Sequence, residues 1–144
     1  MAIDPGGTTG VAFGVFRPRK MAKSTMVYAR GANRLWTQEV KGTPREQASE
    51  LFDIWQSFMV SGPPKTHLVI EDFQLRTQNA DLSPVRITAG LEALLNRDIE
   101  RQMPSSAKSF LTDARMRDWG LWVVGSDHER DAMRHLALKV SRLL

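Results

Sequence analysis

Apolar positions along the chain form two kinds of run, one alternating or continuous over a few residues, the other recurring every three to four. Val11, Phe13 and Val15 alternate with Ala12, Gly14 and Phe16. Ala2 and Ile3 precede them across the turn Asp4-Pro5-Gly6-Gly7-Thr8-Thr9-Gly10. This pattern predicts two strands joined as a β-hairpin. A basic stretch with Arg17, Arg19, Lys20 and Lys23 follows, read as a loop before a strand near Thr25 to Arg30. A further strand is expected near Arg34 to Lys41.

Thr43-Pro44-Arg45-Glu46 is a capping-box signature with proline at the first helical position. Ala48, Leu51, Phe52, Trp55, Phe58 and Met59 then share one helical face, and Gly62-Pro63-Pro64 ends the helix. His67-Leu68-Val69-Ile70, ending in Glu71, is apolar on both faces, as an interior strand covered by helices is. Ser83-Pro84 opens a second helix buried through Ile87, Leu91, Leu94 and Leu95, leaving Arg86, Arg97 and Arg101 for solvent or a ligand. Gln102 to Ser109 is expected as a last strand or extended connection, and Ala107 to Trp119 as a helix stopped by Gly120. Leu121 to Val124 is brief and apolar. Ser126 then caps a last helix that packs through Ala132, Leu136 and Val140. The order predicts an α/β layer fold, a mixed central sheet flanked by helices.

The length, 144 residues, suits one domain spanning 1–144 and is too short for a two-lobed nucleotide-driven machine. Absence of cysteine excludes a disulfide scaffold, thiolate metal sites and a cysteine nucleophile. No apolar run approaches a membrane span, and the first residues lack the basic start and apolar stretch of a secretory leader, so a cytoplasmic location is expected. Twenty Lys and Arg against 16 Asp and Glu give a net charge of +4, which favours polyanions.

Three acids stand where a carboxylate is locally costly: Asp4 after Ile3, Glu71 closing an apolar strand, and Asp131 beside the stripe of the last helix. An uncompensated carboxylate near a core costs on the order of several kcal/mol, and three together also repel. A divalent cation relieves both penalties, and oxygen donors suit Mg²⁺ or Mn²⁺. Asp131 shares a helix face with His128, three residues back, and with Asp127, four back. His128 is taken as the ligand and Asp127 as a charge complementing the helix dipole, with Asp127 the alternative ligand. An imidazole donor shifts preference toward Mn²⁺.

Blander roles are expected for several neighbours. Glu129 and Arg130 read as exposed helix face, Asp72 as solvated, and His67 as structural. His135, seven residues beyond His128, reads as packed or supporting rather than as a third ligand. Trp55 and Phe58 read as core or dimer interface. The glycine-rich turn, taken alone, is also consistent with a plain hairpin turn. It is similar, too, to the first phosphate loop of the actin and sugar-kinase superfamily, which requires a second lobe. It lacks the Gly-Lys-Ser/Thr ending of a P-loop, and no nucleotide cofactor is expected.

Three segments in order carry a family resemblance: Ile3-Asp4-Pro5-Gly6-Gly7-Thr8-Thr9-Gly10, Val69-Ile70-Glu71 and Asp127-His128-Glu129-Arg130-Asp131-Ala132. Together, over nearly the whole chain, they resemble RuvC-type Holliday junction resolvases of the ribonuclease H-like nuclease superfamily, and in compactness a phage version. The resemblance implies a ribonuclease H-like fold and a homodimer. It implies a catalytic and metal-binding set of Asp4, Glu71, His128 and Asp131 holding two Mg²⁺ or Mn²⁺ ions per site, with Asp4 shared between them. It also implies hydrolysis of branched DNA, four-way junctions above all, to 5′-phosphate and 3′-hydroxyl ends, within the host cytoplasm for a phage protein. The family carries an aromatic soon after the glutamate, for which Phe73 is the nearest match at a shorter offset. The region between Ser105 and Asp127 is abbreviated. Candidate DNA contacts are Phe73, Arg76 and Lys108, with Arg17, Arg19, Lys20, Lys23 and Arg86 as further phosphate contacts. The alternatives are a ribosomal-RNA processing nuclease of the same superfamily and a non-catalytic junction-binding protein.

Overall fold

The computed structural model describes residues 1–16, 32–61, 65–73 and 80–143. Strands β1 (Ala2–Asp4), β2 (Thr9–Phe16), β3 (Ala32–Val40), β4 (Val69–Glu71) and β5 (Glu100–Gln102) form a five-stranded sheet in the order β3-β2-β1-β4-β5. β1, β2 and β3 pair antiparallel, whereas β4 runs parallel to β1, and β5 parallel to β4.

Two layers of helices cover the sheet, and residue alternation along the strands decides which side chain meets which layer. Ile3, Val11, Phe13 and Ile70 point to one face. There they pack with Leu51, Trp55 and Phe58 of α1 (Pro44–Ser61) and Ile87 and Leu91 of α2 (Ser83–Leu95). Ala2, Ala12 and Val69 point to the other face. They meet Ala132, Met133, Leu136 and Val140 of α5 (Asp127–Leu143), with Leu111 and Met116 from the segment of α3 (Pro104–Phe110) and α4 (Asp113–Asp118). By the same parity Asp4 and Glu71, each two residues beyond an α5-facing residue, fall on the α5 side. The register Glu71↔Gln102 puts Gln102 beside them.

α1 begins with the expected capping box: the Thr43 hydroxyl accepts from the Glu46 N–H at 3.3 Å, and the Thr43 N–H donates to the Glu46 carboxylate at 2.8 Å. Several expectations are corrected. Residues 102–109 are not extended beyond β5, because Pro104 opens α3 directly. The single helix expected over 107–119 is two, since Leu111 buries into the α5 core and the Thr112 hydroxyl caps a fresh start by accepting from the Arg115 N–H. That second helix does stop at Gly120, which takes a positive φ of 68°. In the brief apolar stretch Leu121 to Val124, Leu121 is buried while Val124 is exposed. Met59 and Leu94, assigned to buried stripes, lie exposed at the stripe edges. The strand expected near Thr25 to Arg30 lies outside the described residues.

Candidate active site

The C-terminal ends of β1 and β4 lie side by side, and in parallel sheets such strand ends open onto ligand sites. Asp4 is the last residue of β1 and is buried, with 5% of its surface exposed. The glycine-rich turn after it is held from α1 by Gln47, itself buried. The Gln47 amide donates to the carbonyls of Gly7 and Gly42 at 3.1 and 2.9 Å, and its oxygen accepts from the Thr9 hydroxyl. Turn, strand end and α1 start are thus tied by one side chain.

α5 supplies the facing wall. Ser126 and Glu129 cap it reciprocally: the Ser126 hydroxyl accepts from the Glu129 N–H at 3.2 Å, and the Glu129 carboxylate accepts from the Ser126 N–H at 3.0 Å. Glu129 also accepts from the Thr37 hydroxyl of β3 at 2.7 Å. It is therefore not the exposed helix face expected. The first turn of α5 comes so near β2 that a Cβ on Gly10 would lie 2.1 Å from the backbone of His128, so only glycine fits there.

His128, Asp131 and His135 then project along one face of α5. His128 Nδ1 lies 2.8 Å from Asp4 Oδ2. Asp131 is paired with Lys108 of α3 at 2.9 Å and with Arg134, whose guanidinium also reaches Asp113 and the Leu111 carbonyl. His135 Nε2 lies 2.8 Å from Glu71 Oε2, and its Nδ1 lies 3.0 Å from Gln102 Oε1. Asp127, the alternative to His128, lines the cleft beside Lys108 and Asp131. Its side chain is 92% exposed and ion-paired with Arg130, which holds its carboxyl below the usual range.

Electrostatics join these groups. Burial, together with the nearby charges of Glu71 and Asp131, pushes the Asp4 carboxyl up to about 7, against the opposing hydrogen bond from His128. The Asp131 carboxylate holds the Lys108 ammonium above its ordinary range, and Glu71 and Asp4 add to the attraction. The four candidate ligands therefore share one region. Even so, among the described residues no three His, Cys, Asp or Glu are drawn together as a ready-made metal group. The pairings give the reason: each acid leans on its own base, Asp4 on His128, Glu71 on His135 and Asp131 on Lys108 and Arg134. The donor set itself, three carboxylates and one imidazole around a carboxyl penalised for its charge, fits a hard divalent cation, which would supply the missing positive charge.

Of the candidate DNA contacts, Lys108 stands at the acids. Phe73 is half-buried, two residues past Glu71, and Arg76 lies outside the described residues, as do Arg17, Arg19, Lys20 and Lys23. Arg86 is exposed on α2, across the sheet from α5.

No protein-family model matches the sequence, and no curated protein matches it. Solved structures do match. A Thermus thermophilus RuvC structure superposes with a TM-score of 0.62 over 92% of this chain and 87% of that one, at 15% identity. Thermus thermophilus RuvC in complex with a Holliday junction substrate gives the same score and identity, over 92% of this chain and 86% of that one. The fold is ribonuclease H-like, as in RuvC. Within this RuvC-like fold, Gln47, Gln102 and Arg134 hold the site together without having been singled out, and so does Glu129, which was read as exposed helix face. The spacing Ser126-x-x-Glu129 repeats the capping signature read at Thr43 and was the available signal for Glu129. Nothing local marks the two glutamines.

Proposed function

We propose that the chain is a divalent-cation-dependent endonuclease that cuts branched DNA, with four-way junctions its main substrate. The observation that carries this reading is Asp4. A carboxyl is buried at the end of the first strand of a RuvC-like fold, near two further acids, and is pushed up to about 7 by burial and by their charge. A side chain so placed is tolerable when cations fill the region.

Asp4, Glu71, His128 and Asp131 are the residues that hold the cations, two Mg²⁺ or Mn²⁺ per site. When bound, such ions activate a water and stabilise the leaving 3′-oxygen of a phosphodiester. The chain's own groups bind and orient. Lys108, anchored on Asp131, offers an ammonium to the scissile phosphate. Phe73, just past Glu71, offers a ring to an unstacked base, and Arg76 a charge to the backbone. A second copy of the chain supplies the second site that two opposed cuts need. The RuvC of the neighbouring structure is itself seen with a Holliday junction substrate.

The test is nicking of labelled four-way junction, linear duplex and RNA–DNA hybrid, each in Mg²⁺, Mn²⁺ or EDTA. Nicking of the junction alone, dependent on a divalent ion, is the expected result. Preference for an RNA substrate would favour a processing nuclease instead. Tight junction binding without nicking in either ion would make it a binding protein.

A further inference from the structure

We propose that His135 is a positioning residue that fixes the Glu71 carboxylate through an Nε2–H bond, its own ring being fixed by Gln102; this rests on Glu71 serving as a cation ligand. The juxtaposition is built by the fold. Glu71 and Gln102 are register partners at the ends of β4 and β5, on the face covered by α5. His135 lies two turns along α5 from His128, and its ring is buried, 1% exposed, over that pair. One ring nitrogen is 2.8 Å from Glu71 Oε2 and the other 3.0 Å from the Gln102 side chain.

A carboxylate only accepts, so the ring nitrogen facing it carries the hydrogen. In the neutral ring, a hydrogen on Nε2 leaves an acceptor at Nδ1. The Gln102 amide nitrogen is the one buried side-chain polar atom with no partner among the described residues. A half-turn of that amide exchanges its nitrogen and oxygen. It gives Nδ1 a donor and gives the stranded nitrogen a partner. What is left bare is an acceptor oxygen, cheaper to leave unpaired than an N–H donor. The result is a directed chain, Gln102 N–H to His135 Nδ1, then His135 Nε2–H to Glu71 Oε2. Its effect is to set the torsion of the Glu71 carboxylate before any ion arrives, so that less ordering remains for binding.

Two measurements test this. In cation-free, ¹⁵N-labelled protein, long-range ¹⁵N–¹H spectra should show the His135 ring with its hydrogen on Nε2 and none on Nδ1; a hydrogen on Nδ1 overturns the directed chain. Separately, calorimetric titration with Mn²⁺ alone should show His135→Leu taking up the ion about 10–100-fold more weakly than the parent. His135→Gln, which returns an N–H near the Nε2 position, should recover most of that loss. Equal affinities in parent and His135→Leu, or a His135→Gln as weak as His135→Leu, would refute the role. If His135→Leu does not fold, Gln102→Leu replaces it: it should weaken Mn²⁺ uptake, and unchanged affinity refutes the role. A parent that takes up no Mn²⁺ refutes the cation reading, and the assigned role with it, while the ring spectrum still reports whether the bond to Glu71 exists.

Discussion

At Asp4 the chain accepts a penalty. Raising a carboxyl from 3.8 to about 7 corresponds to about 4 kcal/mol of lost stability once the group is charged. The folded carboxyl binds its proton more tightly than the unfolded one, so the penalty is absent below pH ~3.8 and complete above pH ~7. In EDTA, therefore, the melting temperature of the parent should fall as pH rises through that window. Asp4→Asn, which cannot charge, should fall less and be the more stable protein at pH 8. Added Mg²⁺ should raise the parent and leave the variant nearly unmoved. The same variant should lose about 10³-fold or more in cleavage, since a cation contributes several kcal/mol to a charged transition state. Its junction affinity should stay close to the parent's. A variant that cuts normally would remove Asp4 from the mechanism. His128→Asp should shift the preferred ion from Mn²⁺ toward Mg²⁺, read from cleavage rates in each.

These acids were legible because a charge inside an apolar run is conspicuous. Gln47 and Gln102 were not, because a glutamine between polar neighbours reads as surface until a fold closes over it. The pairing of each acid with its own base was equally invisible, since it depends on which face of α5 meets which strand end.

Among the elements, α5 matters most, because it carries His128, Asp131 and His135 and is set against the β1–β2 hairpin. The contact at Gly10 is backbone against backbone, with His128 and Glu129 on the helix side. Gly10→Ala has no side chain to displace and should cost about 1–3 kcal/mol or more in chemical denaturation, as overpacking of a tight core does. Thr43→Ala, removing the cap of α1, should cost about 1 kcal/mol in chemical denaturation.

Caps and turn residues were also what made the elements readable in advance. The Thr43 box, the Ser83-Pro84 start and the Ser126 cap all delimit real helices. The signal failed between 102 and 120. There a short strand, two short helices and a buried Leu111 follow one another too quickly for any periodicity to repeat. Proline at 104, which opens α3, was not used as a helix start.

For the molecule as a whole, the net charge is +4 although the candidate site is acidic, so affinity and chemistry should separate. Junction binding should weaken steeply with salt. A footprint of about six phosphates loses roughly 10³-fold between 50 and 200 mM. A flat salt response would mean that the basic surface is not the DNA surface. Layer order and strand sequence follow from alternation and helix caps, which act locally and are written locally. The convergence of β1, β4 and α5 on one spot is a product of topology, and only the likeness of three separated segments to a known family announced it.

The pairing of every acid with a base has a last consequence. Small domains assembled around an ion collapse when a chelator strips it. Here Lys108 and Arg134 are paired with Asp131, and the two imidazoles with their carboxylates, so each acid has a partner within the chain. Withdrawal of the ions should therefore abolish the proposed cleavage without denaturing the chain. A chelated sample should keep its circular dichroism and regain full activity on readdition of Mg²⁺, a dormant protein awaiting only its missing charge.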